Sequence, residues 1–262
     1  MVFGMLLAID VGNTQTHTGV FDGEQLVESW RFATEAEATA DELAVRFSSL
    51  MALRNLELTG MGQAALASVV PQLTPEYAAM SERYTQADLL TVGPGVRTGM
   101  SIRLDNPLEL GADRLVNAVA AYERFGQACA VVDFGTAITF DAVSADGEYL
   151  GGVIGPGVAI SMEALADRTA KLPPIELGEP LGEPAAVIGK TTAQSLQSGL
   201  VYGFAGAVDA IARRVQRELG PETEFIATGG HAHAIVPYCE MVDEIDDLLT
   251  LTGLRLIWNL NA

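Results

Sequence analysis

Residues 5–23 read MLLAIDVGNTQTHTGVFDG, and residues 129–147 read CAVVDFGTAITFDAVSADG. In each stretch an apolar run stops at an aspartate, a short turn with glycine follows, and a second apolar run leads to an Asp-Gly pair typical of a hairpin. The two stretches share an aspartate, a glycine and a threonine at matching positions: Asp10 with Asp133, Gly12 with Gly135, and Thr16 with Thr139. An offset of roughly 120 residues is too long for a solenoid repeat and indicates a duplicated domain.

The rest of the chain alternates short apolar runs with helical patterns. Strand-like runs occupy 65–70, 89–92 and 225–227, and helical patterns cover 39–50, 111–125 and 195–219, the last as one helix or as two joined near Gly203 or Gly206. This alternation predicts an α/β fold, which the repeat divides into two similar lobes. No linker-like composition separates the lobes, so we place the boundary near residue 116, with lobes at 1–116 and 117–262.

Composition and charge narrow the range of partners. The chain has 262 residues, 49% of them hydrophobic, with 34 acidic against 15 basic residues and a net charge of −19. Nucleic-acid binding is not expected, because phosphate contacts need a clustered basic surface. ATP remains open as a ligand, since Mg²⁺ and backbone N–H groups can screen its phosphates locally.

The same data predict a cytoplasmic protein. Only two cysteines are present, Cys129 and Cys239, each among apolar neighbours, which is not the pattern of a disulfide scaffold. Positions 1–9 carry no basic residue ahead of the apolar run and do not read as a signal peptide. No window approaches the length of a membrane span, so no membrane association is expected.

A strand that stops at an aspartate before a Gly-Asn-Thr turn suits phosphoryl transfer. The carboxylate of Asp10 can hold Mg²⁺, while N–H and hydroxyl groups of the turn hold phosphate oxygens. A single Asp-x-Gly is equally well explained as a simple turn. Two copies at domain spacing, together with Thr228-Gly229-Gly230 after a short strand, favour the nucleotide site.

Asp113 follows Gly111-Ala112 at the start of a helical pattern, with Arg114 beside it. An aspartate there is explained by helix capping alone. It is equally suited to accept a proton from a substrate hydroxyl, with Arg114 holding a substrate or phosphate oxygen. The sequence pattern leaves both interpretations open.

Two other motifs are weaker. Gly189-Lys190-Thr191 lacks the first glycine of a Walker A loop, where Pro184 stands, and is interpreted as the lead-in to a helix with Thr191 or Thr192 near its N-cap. His231 and His233 form a spacing seen in metal sites, but no third ligand is nearby in the sequence, so a surface turn is favoured.

These motifs carry a family resemblance that covers essentially the whole chain. The chain resembles the type III pantothenate kinases of the acetate and sugar kinase/Hsp70/actin superfamily. The resemblance rests on six ordered segments: AIDVGNTQT, GADRLVNAVAAY, VVDFGTAITFDAVSADGEYLGG, IGKTTAQSLQSG, ATGG and LTGLRLIWN. It implies two actin-like, ribonuclease H-like lobes from an internal duplication, with a nucleotide cleft between them.

The resemblance also implies the activity, which is ATP-dependent phosphorylation of the 4′-hydroxyl of pantothenate, the first step of coenzyme A synthesis. Asp113 becomes the catalytic proton acceptor, Asp10 the Mg²⁺ carboxylate, and Asp133 a ligand for a monovalent cation, K⁺ or NH₄⁺. The implied ATP contacts are Asp10, Val11, Gly12, Asn13, Thr14, Gln15, Thr16, His17 and Thr136. The implied substrate contacts are Gly111, Ala112, Asp113, Arg114 and Thr192. The family is homodimeric with its pantothenate site at the subunit interface, and the small and apolar residues of 193–211 suit such packing as well as an ordinary core.

The chain departs from the family pattern at five positions: Gln15, His17, Leu104, Thr191 and His231. Leu104 replaces a tyrosine that contacts substrate in many members, which bears on pantothenate affinity more than on the reaction. Two alternatives remain: a non-catalytic nucleotide-sensing regulator on the same fold, and a kinase for another small hydroxy acid. The three carboxylates argue against the first, and Gly111–Arg114 argues against the second.

Overall fold

The structure is a computed structural model that describes residues 4–169, 172, 187–242 and 244–262. Its helices and strands follow one another along the chain: β1 (Met5–Val11), β2 (Gln15–Asp22), β3 (Gln25–Ala33), α1 (Ala40–Ala52), β4 (Met61–Ser68), α2 (Thr74–Tyr84), β5 (Asp88–Thr91), β6 (Ser101–Ile102), α3 (Ala112–Phe125), β7 (Cys129–Phe134), β8 (Ala137–Val143), β9 (Glu148–Pro156), α4 (Val158–Asp167), α5 (Thr192–Leu219), β10 (Glu224–Thr228), α6 (Ala232–Ile235), β11 (Glu244–Ile245) and α7 (Leu249–Asn261). Short 3₁₀ turns occupy Leu58–Gly60, Pro107–Glu109 and Val236–Tyr238.

The predicted duplication is confirmed by two sheets of the same topology. The first sheet has the strand order β3-β2-β1-β4-β5, and the second has β9-β8-β7-β10-β11 with β6 added beyond β9. In both sheets the first three strands in sequence pair antiparallel, and the last two run parallel to the first. The predicted α/β class with two similar lobes therefore holds.

The register of the two sheets corrects one detail of the repeat. Asp10 lies opposite His17 in the first sheet, whereas Asp133 lies opposite Thr139 in the second. The turn of the second copy is one residue shorter, so Thr139 occupies the place of His17 rather than that of Thr16. A constant offset along the sequence does not reveal this shift.

Both faces of the central strand β1 are covered. Leu7, Ile9 and Val11 face a core that includes residues of α1 and α2, while Leu6 and Ala8 are buried on the opposite face. This opposite face is packed by α7, whose Leu251 lies against Gly19 of β2. Burial on both faces explains why the sequence of β1 is continuously apolar instead of alternating.

The compact units differ from the predicted lobes. The first unit contains the chain up to Met100, Asp105–Ala120 and Leu249–Ala262, and the second contains Ser101–Leu104 and Ala121–Leu248. The division in α3 falls four residues after the boundary placed near 116. The C-terminal helix α7 belongs to the first unit, since its apolar side covers the sheet of that unit.

Local signals in the sequence agree well with the elements. Thr39 begins α1 with a capping box, in which its hydroxyl accepts the Glu42 N–H and the Glu42 carboxylate accepts the Thr39 N–H. The helical pattern at 195–219 forms one continuous helix, α5, which begins at Thr192. None of the helices in the described part of the chain is long and apolar enough to span a membrane.

Gly253 provides a test of the α3–α7 contact. A Cβ at this position would lie 2.2 Å from the carbonyl oxygen of Val116, although Gly→Ala inside a helix ordinarily stabilises by about 0.5–1 kcal/mol. We expect Gly253→Ala to lower the free energy of unfolding by about 1–3 kcal/mol, as overpacking does. Urea unfolding measures this change, with Gly60→Ala as the control, because nothing lies within 4 Å of a Cβ there. A stability equal to wild type at Gly253→Ala would contradict the close packing.

Candidate active site

The first predicted phosphate loop connects β1 and β2. The Gly12 N–H donates to the carbonyl oxygen of Gln15 at 3.1 Å, and a Cβ on Gly12 would lie 2.9 Å from that oxygen. Asn13, Thr14 and Gln15 are exposed, and Asp10 and Gly12 are half-buried. The turn therefore presents polar groups to solvent directly beside the carboxylate at the end of β1.

Buried contacts behind the loop hold it in place. The Thr16 hydroxyl is fully buried and lies 2.9 Å from the Thr34 hydroxyl, and the Thr34 N–H donates to the Thr14 carbonyl oxygen at 2.9 Å. Tyr77 packs in the same core, where burial raises its pKa to about 12. These contacts make the backbone of the loop a fixed surface, as a phosphate site requires.

His17 and Arg31 extend the site across the first sheet. Asp10 lies directly opposite His17, which lies directly opposite Arg31, so the three side chains form one row on one face of the sheet. An imidazole and a guanidinium thus lie on the face that carries the predicted Mg²⁺ carboxylate. The family resemblance marked His17 as an implied ATP contact and as a departure from the usual residue, but the sequence did not place it opposite Asp10.

Asp113 lies in the first turn of α3. Its carboxylate accepts the Arg114 N–H at 2.8 Å, and a Cβ on Gly111 would lie 2.5 Å from its Oδ1. Burial raises the pKa of Asp113, and this effect outweighs the opposing influence of the Arg114 N–H and guanidinium. A carboxylate in the first turn of a helix stabilises the helix through the backbone dipole, and this interaction favours the ionised form. A raised pKa is instead more typical of a catalytic proton acceptor.

Asp113 and Asp10 lie on the same side of the first sheet. One turn after Asp113, the buried Asn117 side chain accepts a 2.7 Å hydrogen bond from the Thr250 hydroxyl, which fastens α3 to the start of α7. Leu251 of α7 packs on Gly19, which lies opposite Ala8 and so shares the face of Asp10. The fold thus brings Asp10 and Asp113, about a hundred positions apart in the sequence, into the first compact unit.

The second predicted loop surrounds Asp133 with positions that must lack a side chain. Gly229 has φ +94°, and a Cβ there would lie 2.4 Å from Asp133 Oδ1. A Cβ on Gly135 would lie 3.4 Å from the same oxygen. Thr136 is exposed, and its carbonyl oxygen lies 2.1 Å from the Cβ position of Gly157. Carboxylate and carbonyl oxygens are the ligand type that hard cations prefer, and this loop carries both.

In the segment before α5, Pro184 lies outside the described residues, which begin again at residue 187. The Thr191 hydroxyl is the N-cap of α5 and accepts the Gln194 N–H at 3.2 Å. Thr192, the predicted substrate contact, begins the helix and is exposed. Of the two threonines left open by the sequence, Thr191 is therefore the cap.

The structure also shows the surroundings of Leu104 and of the two histidines His231 and His233. Leu104 is half-buried, and its side chain lies 3.5 Å from the Cβ position of Gly151. His233 Nε2 lies 2.8 Å from a carboxylate oxygen of Asp247, and the His231 N–H donates to the Phe134 carbonyl oxygen. Among the described residues, no group of three His, Cys, Asp or Glu side chains has the arrangement of a metal site.

Sequence reasoning missed two residues of the second sheet, Asp141 and Tyr149. Both are fully buried, and the Tyr149 hydroxyl donates to Asp141 Oδ1 at 2.6 Å. The available signal was the spacing of Asp141 two residues after Thr139, which puts both on the same face of a strand.

Comparison with known proteins matches a sequence profile of type III pantothenate kinases to residues 6–214. The chain belongs to the type III pantothenate kinase family. The type III pantothenate kinase of Myxococcus xanthus is 49% identical over 257 residues, covering 98% of this chain and 99% of the relative. That of Streptomyces avermitilis is 50% identical over 265 residues, covering 98% of each.

The fold agrees with this membership. A ROK family glucokinase from Streptomyces griseus, solved with glucose and AMPPNP, superposes with a TM-score of 0.53 at 13% identity, covering 98% of this chain and 99% of the glucokinase. This likeness confirms the actin-like fold predicted for a type III pantothenate kinase. The family match also spans every predicted site residue, from Asp10 to Thr192.

Proposed function

We propose that this chain transfers the γ-phosphoryl group of ATP to the 4′-hydroxyl of pantothenate, yielding 4′-phosphopantothenate and ADP in the first step of coenzyme A synthesis. The observation that carries the proposal is the near-complete match to type III pantothenate kinases. It is supported by the half-buried carboxylate of Asp113, on the same side of the first sheet as the loop after Asp10.

Asp113 is the proposed base. The substrate hydroxyl oxygen forms the new bond to the γ-phosphorus, the bond from that phosphorus to the bridging oxygen of ADP breaks, and the hydroxyl proton passes to Asp113. A raised pKa suits this role, because it makes the carboxylate a stronger base than an exposed aspartate. Arg114 holds a substrate or phosphate oxygen, and Gly111 and Ala112 leave space for the substrate beside the base.

The loop Asp10–His17 holds the phosphates of ATP. The exposed Asn13, Thr14 and Gln15 offer donors, and Thr136 adds a contact from the second loop. Asp10 holds Mg²⁺ directly or through water, and the donor set of carboxylate and hydroxyl oxygens fits that ion. Bound there, Mg²⁺ supplies neutralisation of charge on the phosphates.

Asp133 is the proposed residue for K⁺ or NH₄⁺. The narrow surroundings of its Oδ1, where Gly229 and Gly135 lack a Cβ, fit an oxygen-ligated cation. A monovalent cation at this position offsets negative charge near the nucleotide.

The second loop and its sheet also suggest a homodimer. In the described part of the chain, β6 pairs with Glu148 and Tyr149 alone, so the remainder of β9 forms a sheet edge there. This edge and the adjoining helix α4 expose five large apolar side chains: Leu150, Val153, Ile154, Ile160 and Leu165. An exposed apolar edge of this kind is normally covered in the native assembly, here by a second copy.

We expect Ile154→Glu to convert the dimer to a monomer and to raise the KM for pantothenate. Ile154 is 65% exposed, so the substitution leaves the protomer folded, whereas a buried carboxylate opposes association. Light scattering coupled to size exclusion measures the mass. Val45→Glu on α1 is the matched control, since Val45 is 67% exposed and belongs to the first compact unit. A dimeric Ile154→Glu protein would exclude this face as the interface.

The function is tested by ADP release from the purified protein with ATP, Mg²⁺ and pantothenate, run in parallel in KCl and NaCl. Pantothenate-dependent turnover in KCl that collapses in NaCl is the expected result. Equal turnover in both salts would support the kinase activity but exclude the cation role of Asp133. ATP binding without turnover would favour a nucleotide-sensing regulator, and turnover with a different hydroxy acid would reassign the substrate.

A further inference from the structure

A buried carboxylate in the second sheet has no place in the proposed reaction. Asp141 of β8 is fully buried, and its Oδ1 accepts the hydroxyl of Tyr149, also fully buried, at 2.6 Å. Its Oδ2 accepts the Thr139 hydroxyl at 3.2 Å. Burying a carboxylate is costly, and hydrogen bonds from two hydroxyl groups offset part of that cost.

Thr139 connects this carboxylate to Asp133. In the β7–β8 ladder Thr139 lies directly opposite Asp133, so their side chains share a face with Cβ atoms about 4.5–5.5 Å apart. Asp141 lies two residues further along β8 and therefore on the same face. Thr139 therefore has one carboxylate across the ladder, on Asp133, and one beside it along β8, on Asp141.

The hydrogen bonding among these three side chains determines whether the Thr139 hydroxyl can donate a proton or accept a ligand. An ionised carboxylate only accepts hydrogen bonds, and a hydroxyl has one proton to donate. Because the Thr139 proton points to Asp141, the hydroxyl presents only lone pairs to its other neighbours. Its single proton is already donated to Asp141, so the hydroxyl oxygen beside Asp133 is suited to accept a cation and not to donate to that carboxylate.

We propose that Asp141 is a positioning residue that orients the Thr139 hydroxyl as a second oxygen ligand for the monovalent cation at Asp133. The inference rests on the proposed role of Asp133 as a cation ligand. It adds that Asp141 orients the hydroxyl of Thr139, the cross-strand neighbour of Asp133, towards the cation. A purely structural role for Asp141, as an anchor between β8 and β9 through Tyr149, makes a different prediction.

The decisive variant is Asp141→Asn, which preserves shape and reverses one hydrogen bond. The new amide accepts from Tyr149 and donates to Thr139, which turns the Thr139 proton towards Asp133. We expect the K⁺ concentration for half-maximal activity to rise at least about tenfold, while kcat at saturating K⁺ changes little. Affinity for a non-hydrolysable ATP analogue, titrated calorimetrically over a KCl series, provides a readout without turnover and should show the same shift.

Two further substitutions separate the roles. Thr139→Val removes the oxygen at nearly constant volume and is expected to raise the required K⁺ concentration as Asp141→Asn does. Tyr149→Phe removes the other hydrogen bond to Asp141 and leaves Thr139 in place, so its K⁺ requirement should stay within about twofold of wild type. If Asp141→Asn fails to fold, Thr139→Val decides the question.

The outcomes are distinct. An unchanged K⁺ requirement in folded Asp141→Asn or Thr139→Val, with a K⁺-dependent wild type, would overturn the positioning role alone. An equal shift in Tyr149→Phe would assign Asp141 to the structural role. A wild type that is equally active in KCl and NaCl would remove the cation role of Asp133, and the inference with it.

Discussion

Asp113→Asn is expected to lower kcat about 10²–10⁴-fold while nucleotide affinity stays near the wild-type value. The amide keeps the shape of the side chain but cannot accept the substrate proton. Steady-state ADP release measures the loss, and calorimetric titration with ATP measures the binding. Asp105→Asn is the matched control, since Asp105 is an exposed aspartate shortly before α3. An Asp113→Asn protein with full kcat would remove Asp113 as the base.

The raised pKa of Asp113 adds a stability prediction to the same variant. Because its folded-state pKa lies above the unfolded value, the folded protein binds a proton more readily, and stability falls as pH rises from the unfolded pKa through the folded pKa. At neutral pH the charged carboxylate therefore lowers stability. Asp113→Asn should show a Tm equal to or above that of wild type at pH 7, and this advantage should disappear in acid. A lower Tm at pH 7 would indicate that the carboxylate is mainly a structural cap.

The activity of the wild type should depend on pH for the same reason. Asp113 must be ionised to accept a proton, so kcat/KM is expected to fall on the acid side as this group protonates. Burial moves that fall to a higher pH than an ordinary aspartate gives. A pH profile of kcat/KM for pantothenate locates the midpoint.

Gly229→Ala is expected to abolish the dependence of activity on K⁺ and to destabilise the second unit. At φ +94° an L residue is strained by about 1–2 kcal/mol, and overpacking adds about 1–3 kcal/mol. The new Cβ would lie 2.4 Å from Asp133 Oδ1 and 2.7 Å from backbone atoms of Phe134, so the carboxylate must move. Thermal unfolding and a KCl titration of activity measure the two effects.

Gly230→Ala is the control for this prediction. It makes the same chemical change one residue later, where nothing lies within 4 Å of a Cβ and φ is not in the left-handed region. It should leave the Tm and the K⁺ requirement close to those of wild type. If both variants lose K⁺ dependence equally, the flexibility of the Gly-Gly pair, and not the space beside Asp133, is the important property.

Local patterns predicted the elements that depend on neighbours in the sequence. The Asp22-Gly23 and Asp146-Gly147 turns form as expected, with both glycines at positive φ. Asp113 could be identified as a candidate base from its position, but not separated from a helix cap. The burial around the carboxylate, which raises its pKa and favours the base, became visible only in the structure.

Sequence patterns did not identify residues whose role depends on a partner in a neighbouring strand or further along the same strand. Asp141 carries no motif, and its importance follows from Tyr149 and Thr139, which accompany it in the folded sheet. His17 differs from the family pattern in sequence, and only the ladder places it opposite Asp10. Cross-strand neighbours are set by register, and register depends on turn length, which differs by one residue between the two copies.

The amino-acid sequence alone was sufficient for the duplicated α/β architecture, the two aspartate-ended loops and the family, because these are encoded in the order and spacing of residue types. The helix α7 illustrates the limit. Its apolar pattern predicts a buried side but does not specify which sheet it covers. The structure places it on the first sheet through Leu251 and against α3 through Gly253 and Thr250. That choice depends on which apolar face the rest of the chain leaves uncovered, and such a face exists only once the sheets have formed.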